Sequence, residues 1–327
     1  MITREIQLTA QIVGTPTLDH FAVATTEVDG EVVVRTDQVG LAATYLELMR
    51  ADCTLPVPAW QPGRRVGVAA IGTVVRSDSP ELAVGDLVQS MTGWSEYSAG
   101  PAAQYMKLDP IADPGYYLGQ GPTAYYGMAD VAGVGEGDVV FVSGAAGGVG
   151  SLAGQIAKCL GAARVIGSAG SPAKVDYLVN ELGYDAAFDY HDGSPVDRLR
   201  ELAPAGVSVF FDVVGGEQYQ AALQAARPGA RFALCGSLSS QLGDAAERFP
   251  EPDQAAAQAR GVELRPFSCY HTPDQIAAWR EHFSTWLGEG RFVYPQTVIK
   301  GELEDVPQAF LSLLQGSYRG NVSVRLS

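Results

Sequence analysis

The sequence predicts an α/β protein in which a doubly wound parallel sheet interrupts a β-rich domain. Three observations predict it. From about residue 118 the chain alternates short apolar strands with helical segments, the grammar of a parallel sheet covered on both faces. Before that point it reads as β-branched runs broken by Gly, Pro and Asp, without sustained helical periodicity. Finally, its 327 residues, 46% hydrophobic and 18% charged, are enough for two globular cores at roughly 100–200 residues per domain. The expected division is 1–117 with 288–327 for the β-rich domain and 118–287 for the α/β domain.

The elements follow in order. EVVVRTDQVGLAA (31–43), RVGVAAIGTVVRS (65–77) and DLVQSMTG (86–93) supply strands of the first domain. DVVFVSG (138–144) is a buried-type strand, and GGVGSLAGQIAKCLG (147–161) is the helix after it. ARVIGSA (163–169) is the next strand. The helix SPAKVDYLVNELG (171–183) has Ser171 as N-cap, Pro172 at its first position and Gly183 at its end. AAFDY (186–190), VSVFFDVVG (207–215), ARFALCG (230–236) and VELRPFSCY (262–270) are further strands, separated by helical segments. After about 288 the chain returns to mixed strand and helix, through FVYPQTVIKGELEDVPQAFLSLLQG (292–316) and NVSVRLS (321–327).

The sharpest motif is SGAAGGVGS (143–151), directly after a strand and opening a helix. It matches the dinucleotide-binding fingerprint with Ala145 at the first small position, then Gly147 and Gly150. The first permits a tight turn, Gly147 lets the backbone approach a pyrophosphate, and Gly150 lets the helix pack close to the strand. The helix N-terminus then offers N–H groups and a positive dipole end to the anion. The inserted sheet is therefore expected to be a Rossmann domain. A carboxylate about 20 residues further on would bind the ribose hydroxyls of NAD. Here that stretch reads Gly167-Ser168-Ala169-Gly170-Ser171, Lys174 stands one helical turn later, and Tyr190 ends the next strand. A missing acid beside an ammonium favours a 2′-phosphate, so NADPH is the expected cofactor.

Charge and composition narrow the partners. A formal net charge of −15 opposes nucleic acid and anionic membrane surfaces. No apolar run approaches the roughly 18 residues of a membrane span, and the N-terminus lacks a signal-peptide core. A cytoplasmic protein is expected. The four cysteines (Cys53, Cys159, Cys235, Cys269) and four histidines (His20, His191, His271, His282) show no ligand spacing, so no metal site is expected.

These residues resemble the zinc-independent medium-chain dehydrogenases/reductases, nearest the prostaglandin and leukotriene B4 dehydrogenase-like alkenal double-bond reductases. GWSEY (93–97), PTAYYG (122–127), AAGGVGS (145–151), AGSPAKVDYL (169–178), FDVVGG (211–216), CGSLS (235–239) and LEDVPQAF (303–310) fall in the family's order. The resemblance implies that the β-rich part is a GroES-like catalytic domain. It implies that Gly147, Gly148, Val149 and Gly150 cradle the pyrophosphate, and that Lys174 and Tyr190, with Ser171 in the same stretch, hold the 2′-phosphate. Cys235, Gly236, Ser237 and Ser239 would pass beneath the adenosine and ribose. Thr123 and the Phe267–Cys269 backbone would lie near the nicotinamide carboxamide. Asp212 stands where the family has Asn, a departure expected to place a carboxylate near the cofactor. The chain departs from the family where an Asp-Pro-Tyr-Met-Arg pattern survives only as Thr44-Tyr45-Leu46-Glu47. It departs again near the C-terminus, at Gly316-Ser317-Tyr318-Arg319-Gly320-Asn321. A specialised, diverged substrate is expected.

Without a metal to polarise a carbonyl, conjugate reduction needs the least help: hydride reaches the β-carbon of an electron-poor alkene, and a donor meets the enolate oxygen. Candidate donors are Tyr45, Tyr97 and Tyr270, each weighed against a ring that merely packs. Trp94 is read as a pocket wall or core. The expected activity is NADPH-dependent reduction of an unsaturated small molecule, with reductive cyclisation of a polyene as a variant. Quinone reduction and a non-catalytic NADPH sensor are the alternatives. A homodimer, paired through the VELRPFSCY strand, is expected by analogy.

Overall fold

The computed structural model describes residues 1–327 except Thr54, Pro56, 110–112, 237–251, Ser268 and Tyr270. Ser237, Ser239 and Tyr270, assigned above to cofactor and catalysis, thus lie outside the described residues. The chain divides into two compact units, Met1–Gly119 with Gln296–Ser327, and Gln120–Pro295. The second boundary falls eight residues beyond the expected one. The reason is aromatic: Phe292 and Tyr294 pack on Phe283 at ring-centroid distances of 5.7 and 5.8 Å, tying this segment to the helix Pro273–Gly288.

The first unit is β-rich. Strands β1 (Ile2–Leu8) and β2 (Phe21–Glu27) form an antiparallel pair. The main sheet uses β3 (Val32–Leu41), β4 (Ala70–Ser77), β5 (Leu87–Ser90), β6 (Tyr97–Gly100) and β7 (Tyr105–Lys107). The C-terminal strands Gln296–Gly301 and Asn321–Leu326 complete it, the latter running antiparallel to β3 with Val322 opposite Leu41. That pairing returns the chain end to the unit in which it began. A short helix α1 (Tyr45–Leu48) follows β3. The core gathers Ile6, Leu8, Leu41, Tyr45, Trp60, Trp94 and Phe310.

The second unit opens with α2 (Gly121–Tyr126) and carries a six-stranded sheet. Its strands are β8 (Val139–Val142), β9 (Arg164–Ala169), β10 (Ala186–Asp189), β11 (Val207–Asp212), β12 (Ala226–Leu234) and β13 (Glu263–Pro266). They lie in the order β10-β9-β8-β11-β12-β13, every neighbouring pair parallel. Helices α3 (Gly148–Cys159), α4 (Pro172–Asn180), α5 (Pro195–Leu202) and α6 (Gly216–Ala225) fill the crossovers. Strand order reverses between β8 and β11, so the crevice outside their carboxyl ends is the expected ligand position. β11 is buried along its whole length, which accounts for its unbroken apolar reading. On one face Phe141 stacks on Phe210 at 5.0 Å and on Phe188 at 5.8 Å. Such pairs add about 0.5–1.5 kcal/mol each beyond burial. Among the described residues no helix is long and apolar enough to cross a membrane.

Candidate functional site at the carboxyl edge of the parallel sheet

The glycine turn joins β8 to α3. Gly144 adopts φ 56°, and Gly147 N–H donates to the Gly144 carbonyl at 3.0 Å, closing the turn. The two fingerprint glycines are there for different reasons. A Cβ at Gly150 would sit 2.5 Å from the Gly144 carbonyl oxygen and 2.7 Å from Ala145 Cα, so packing alone demands glycine. Gly147 is the N-cap of α3, at φ −84°. A Cβ there would meet only the Gly144 oxygen, at an ordinary 3.4 Å. Neither the backbone nor the fold requires glycine at 147. The open space above it is where a ligand would need the backbone bare, and the first turn of α3, with Val149 and Gly150, presents amides that a helix cannot bond internally. Beneath the turn, the buried Tyr184 hydroxyl donates to the Gly150 carbonyl at 2.7 Å.

The second cluster stands at the ends of β9 and β10. Ser171 caps α4, its hydroxyl accepting from Lys174 N–H at 3.4 Å. No carboxylate occupies the end of β9, which reads Ala169-Gly170-Ser171. Tyr190 lies over Gly170: a Cβ added there would come within 2.9 Å of its hydroxyl. Burial draws the Lys174 ammonium below the ordinary lysine range and pushes the Tyr190 phenol above its own. A half-buried ammonium is poorly hydrated and gains most from a dianionic partner. Lys174, Ser171 and Tyr190 are thus brought to one edge, with no acid at the end of β9 to oppose a phosphate.

Asp212, expected to place a carboxylate near the cofactor, turns its side chain into its own loop and is 2% exposed. Its Oδ1 accepts from Ser143 Oγ at 2.8 Å, Gly215 N at 2.8 Å and Val214 N at 3.1 Å. Ser143 Oγ in turn accepts from Val213 N at 2.9 Å. Burial pushes the carboxyl pKa up to about 6, against the lowering effect of those donors. The pair locks the β8 and β11 ends together at the switch point. The neighbouring backbone closes on the same residue, with Cys235 N and Gly236 N donating to the Asp212 carbonyl at 2.8 and 3.1 Å. Burial pushes the Cys235 thiol up to about 12.

Thr123 lies in α2, with its hydroxyl 2.9 Å from His271 Nε2. Phe267 follows β13, its ring meeting those of Tyr126 and Phe211. Cys269 is exposed. Of the candidate donors in the first unit, Tyr45 is core: its ring packs on Trp60 at 5.7 Å and Phe310 at 6.2 Å. Its hydroxyl is engaged by the Ala69 backbone, and burial drives its pKa upward. Trp94 is fully buried in the same cluster. Tyr97 opens β6 partly exposed, its backbone N–H held by Thr3 Oγ1 at 3.0 Å. Among the described residues no three His, Cys, Asp or Glu side chains gather as a metal centre. Sequence reasoning missed Tyr184, Ser143 and His271, whose roles arise from partners distant in the chain.

Comparison with known proteins follows this geometry. A family model described as "Zinc-binding dehydrogenase" matches residues 148–281, and one described as "N-terminal domain of oxidoreductase" matches 4–108. A putative NADP-dependent oxidoreductase of Bacillus subtilis, YfmJ, is 33% identical, covering 99% of this chain and 98% of its own. The NADP(+)-dependent 2-alkenal reductase of Nicotiana tabacum is 33% identical, covering 83% and 80%. The crystal structure of CurA from Vibrio vulnificus in complex with NADPH superposes with a TM-score of 0.89, at 28% identity and 99% coverage of both chains.

Proposed function

The chain belongs to the medium-chain dehydrogenase/reductase superfamily, in the branch of the prostaglandin and alkenal double-bond reductases, and from that premise we propose that it is a zinc-independent, NADPH-dependent reductase of activated C=C bonds. The observation that carries the proposal is Gly147, a glycine that the fold does not need and a pyrophosphate does. The absence of an acid at the end of β9, with Lys174 one turn on, supports NADPH over NADH.

When bound, NADPH supplies a hydride; the chain's own residues bind, orient and exclude. The first turn of α3 would hold the pyrophosphate through backbone donors, and Lys174 with Tyr190 would hold the 2′-phosphate. Thr123 and Phe267, at the carboxyl edge, would hold the nicotinamide end. A conjugate reduction would leave charge on an enolate oxygen that needs a donor; Tyr97 is the candidate phenol we carry forward, with water as the source of the α-carbon proton. The finer reading is a biosynthetic polyene whose carbanion closes a ring. Both outcomes add two hydrogens, so the number of double bonds remaining in the product separates them. A homodimer belongs to the same reading, because β13 is an edge strand of its sheet and a second β13 would cover it; sedimentation equilibrium tests this.

The decisive assay follows loss of reduced-nicotinamide absorbance across a panel of 2-alkenals, enones and quinones, with and without a metal chelator. We expect NADPH consumption with at least one alkenal or enone, unchanged by the chelator. Tight NADPH binding without turnover on any member would favour the sensor reading, and abolition by the chelator would overturn zinc independence.

A further inference from the structure

Thr123 and His271 form a polar pair inside an aromatic cluster. Tyr126 meets His271 and Phe267 edge-on at 5.7 and 5.9 Å, and Phe267 meets Phe211 at 6.0 Å. Phe211 is the penultimate residue of β11 and Phe267 follows β13 directly. The cluster therefore stands on the same sheet edge as the glycine turn. Thr123 is buried, and its Oγ1 is 2.9 Å from His271 Nε2. The other ring nitrogen, Nδ1, is buried and has no hydrogen-bond partner among the described residues. Orphaned buried polar atoms are few and each needs a reason.

Burial lowers the imidazole pKa below its ordinary value, which favours the neutral ring with a single N–H. Were that proton on Nδ1, a buried donor would stand unpaired, the rarer and costlier defect. Placed on Nε2, it donates to Thr123 Oγ1 and leaves the Nδ1 lone pair unmet, with the threonine's own hydrogen open until a ligand acceptor takes it. The threonine hydroxyl, having accepted this bond, keeps its own hydrogen for another acceptor.

We propose that His271 is a positioning residue: it fixes the Thr123 hydroxyl as a donor to a carbonyl oxygen of the ligand at this edge, the carboxamide oxygen of the nicotinamide. The inference rests on the reading of the chain as an NADPH enzyme. It gives His271 a role through Thr123 rather than at the reacting carbon.

Two binding measurements test it. The chain has four histidines, so ¹⁵N-histidine NMR is assignable with a His271→Ala variant, and it should show His271 as the neutral Nε2–H tautomer. Calorimetry then compares NADP⁺ with its thionicotinamide analogue, in which sulfur replaces the carboxamide oxygen. The unaltered protein should prefer the oxygen form roughly tenfold, the size of one good hydrogen bond. His271→Ala and Thr123→Val should each bring that preference near unity, while 2′,5′-ADP, which lacks the nicotinamide, binds all three proteins alike. Thr123→Val keeps the test open where His271→Ala does not fold. An Nδ1–H tautomer, or the full preference retained in either variant, overturns the inference. Failure of the unaltered protein to bind both NADP⁺ and 2′,5′-ADP would instead bring down the NADPH reading on which it rests.

Discussion

At the scale of single residues, the site depends on two groups whose burial sets their chemistry. Lys174 is an ammonium drawn partly out of water, which strengthens its attraction to a phosphate placed beside it. Lys174→Ala should weaken NADPH roughly 10–100-fold, the span of a charge-assisted hydrogen bond, and leave NADH almost unchanged; calorimetry with both nucleotides measures the difference, and equal losses would remove the assigned role. Asp212 makes a prediction about pH. Its folded-state pKa of about 6 lies above the ordinary 3.8, so the native state holds the proton more tightly than the unfolded chain. Its contribution to stability is full below about pH 4 and is lost as pH rises through about 6, by on the order of 2–3 kcal/mol. Denaturant melts of the protein and of Asp212→Asn should diverge by that amount across the window, in the variant's favour at the upper end; parallel curves would contradict the assignment. Lys174 was legible in the sequence, because it stands at a fixed offset from a recognisable turn. The inward turn of Asp212 was not, because it depends on Ser143, 69 residues away in the chain. Tyr45 shows the same limit: an aromatic in a β-rich stretch reads alike whether it lines a pocket or, as here, fills a core.

At the scale of elements, the turn between β8 and α3 separates what folding needs from what binding needs. Gly150 is held by backbone contacts of 2.5 and 2.7 Å to any added Cβ, and Gly150→Ala should cost about 1–3 kcal/mol of stability through forced displacement. Gly147→Ala should melt with the unaltered protein and yet lose at least tenfold in NADPH affinity, because its Cβ would enter the space proposed for the pyrophosphate. Thermal melts paired with calorimetry separate the two; a Gly147→Ala protein that binds normally would leave the glycine without explanation. Most elements could be read from the chain because strand, turn and helix each carry a local pattern: β-branched runs for β9 and β11, a Ser-Pro start for α4. Helix α4 nonetheless ends at Asn180 rather than Gly183. The segment beyond it is drawn inward by Tyr184, whose ring fills the space over Gly154 and Gly167. That contact lies between elements, where local periodicity carries no information.

At the scale of the whole molecule, an acidic chain of net charge −15 binds a polyanion only by building a local exception. Long-range attraction does not help it, so the proposed reading draws affinity from backbone amides at a helix mouth and the partly buried Lys174. This arrangement explains why the interrupted topology was readable, with β-rich segments flanking an alternating middle, while the boundary after residue 287 was not: the aromatic packing of Phe292 and Tyr294 is a tertiary fact. It also fixes the most direct measurement, titration calorimetry of the intact protein with NADPH and NADH under one set of conditions. The account predicts heat on adding NADPH, with an affinity at least tenfold above that for NADH. Silence toward both nucleotides, or a preference for NADH, would contradict it.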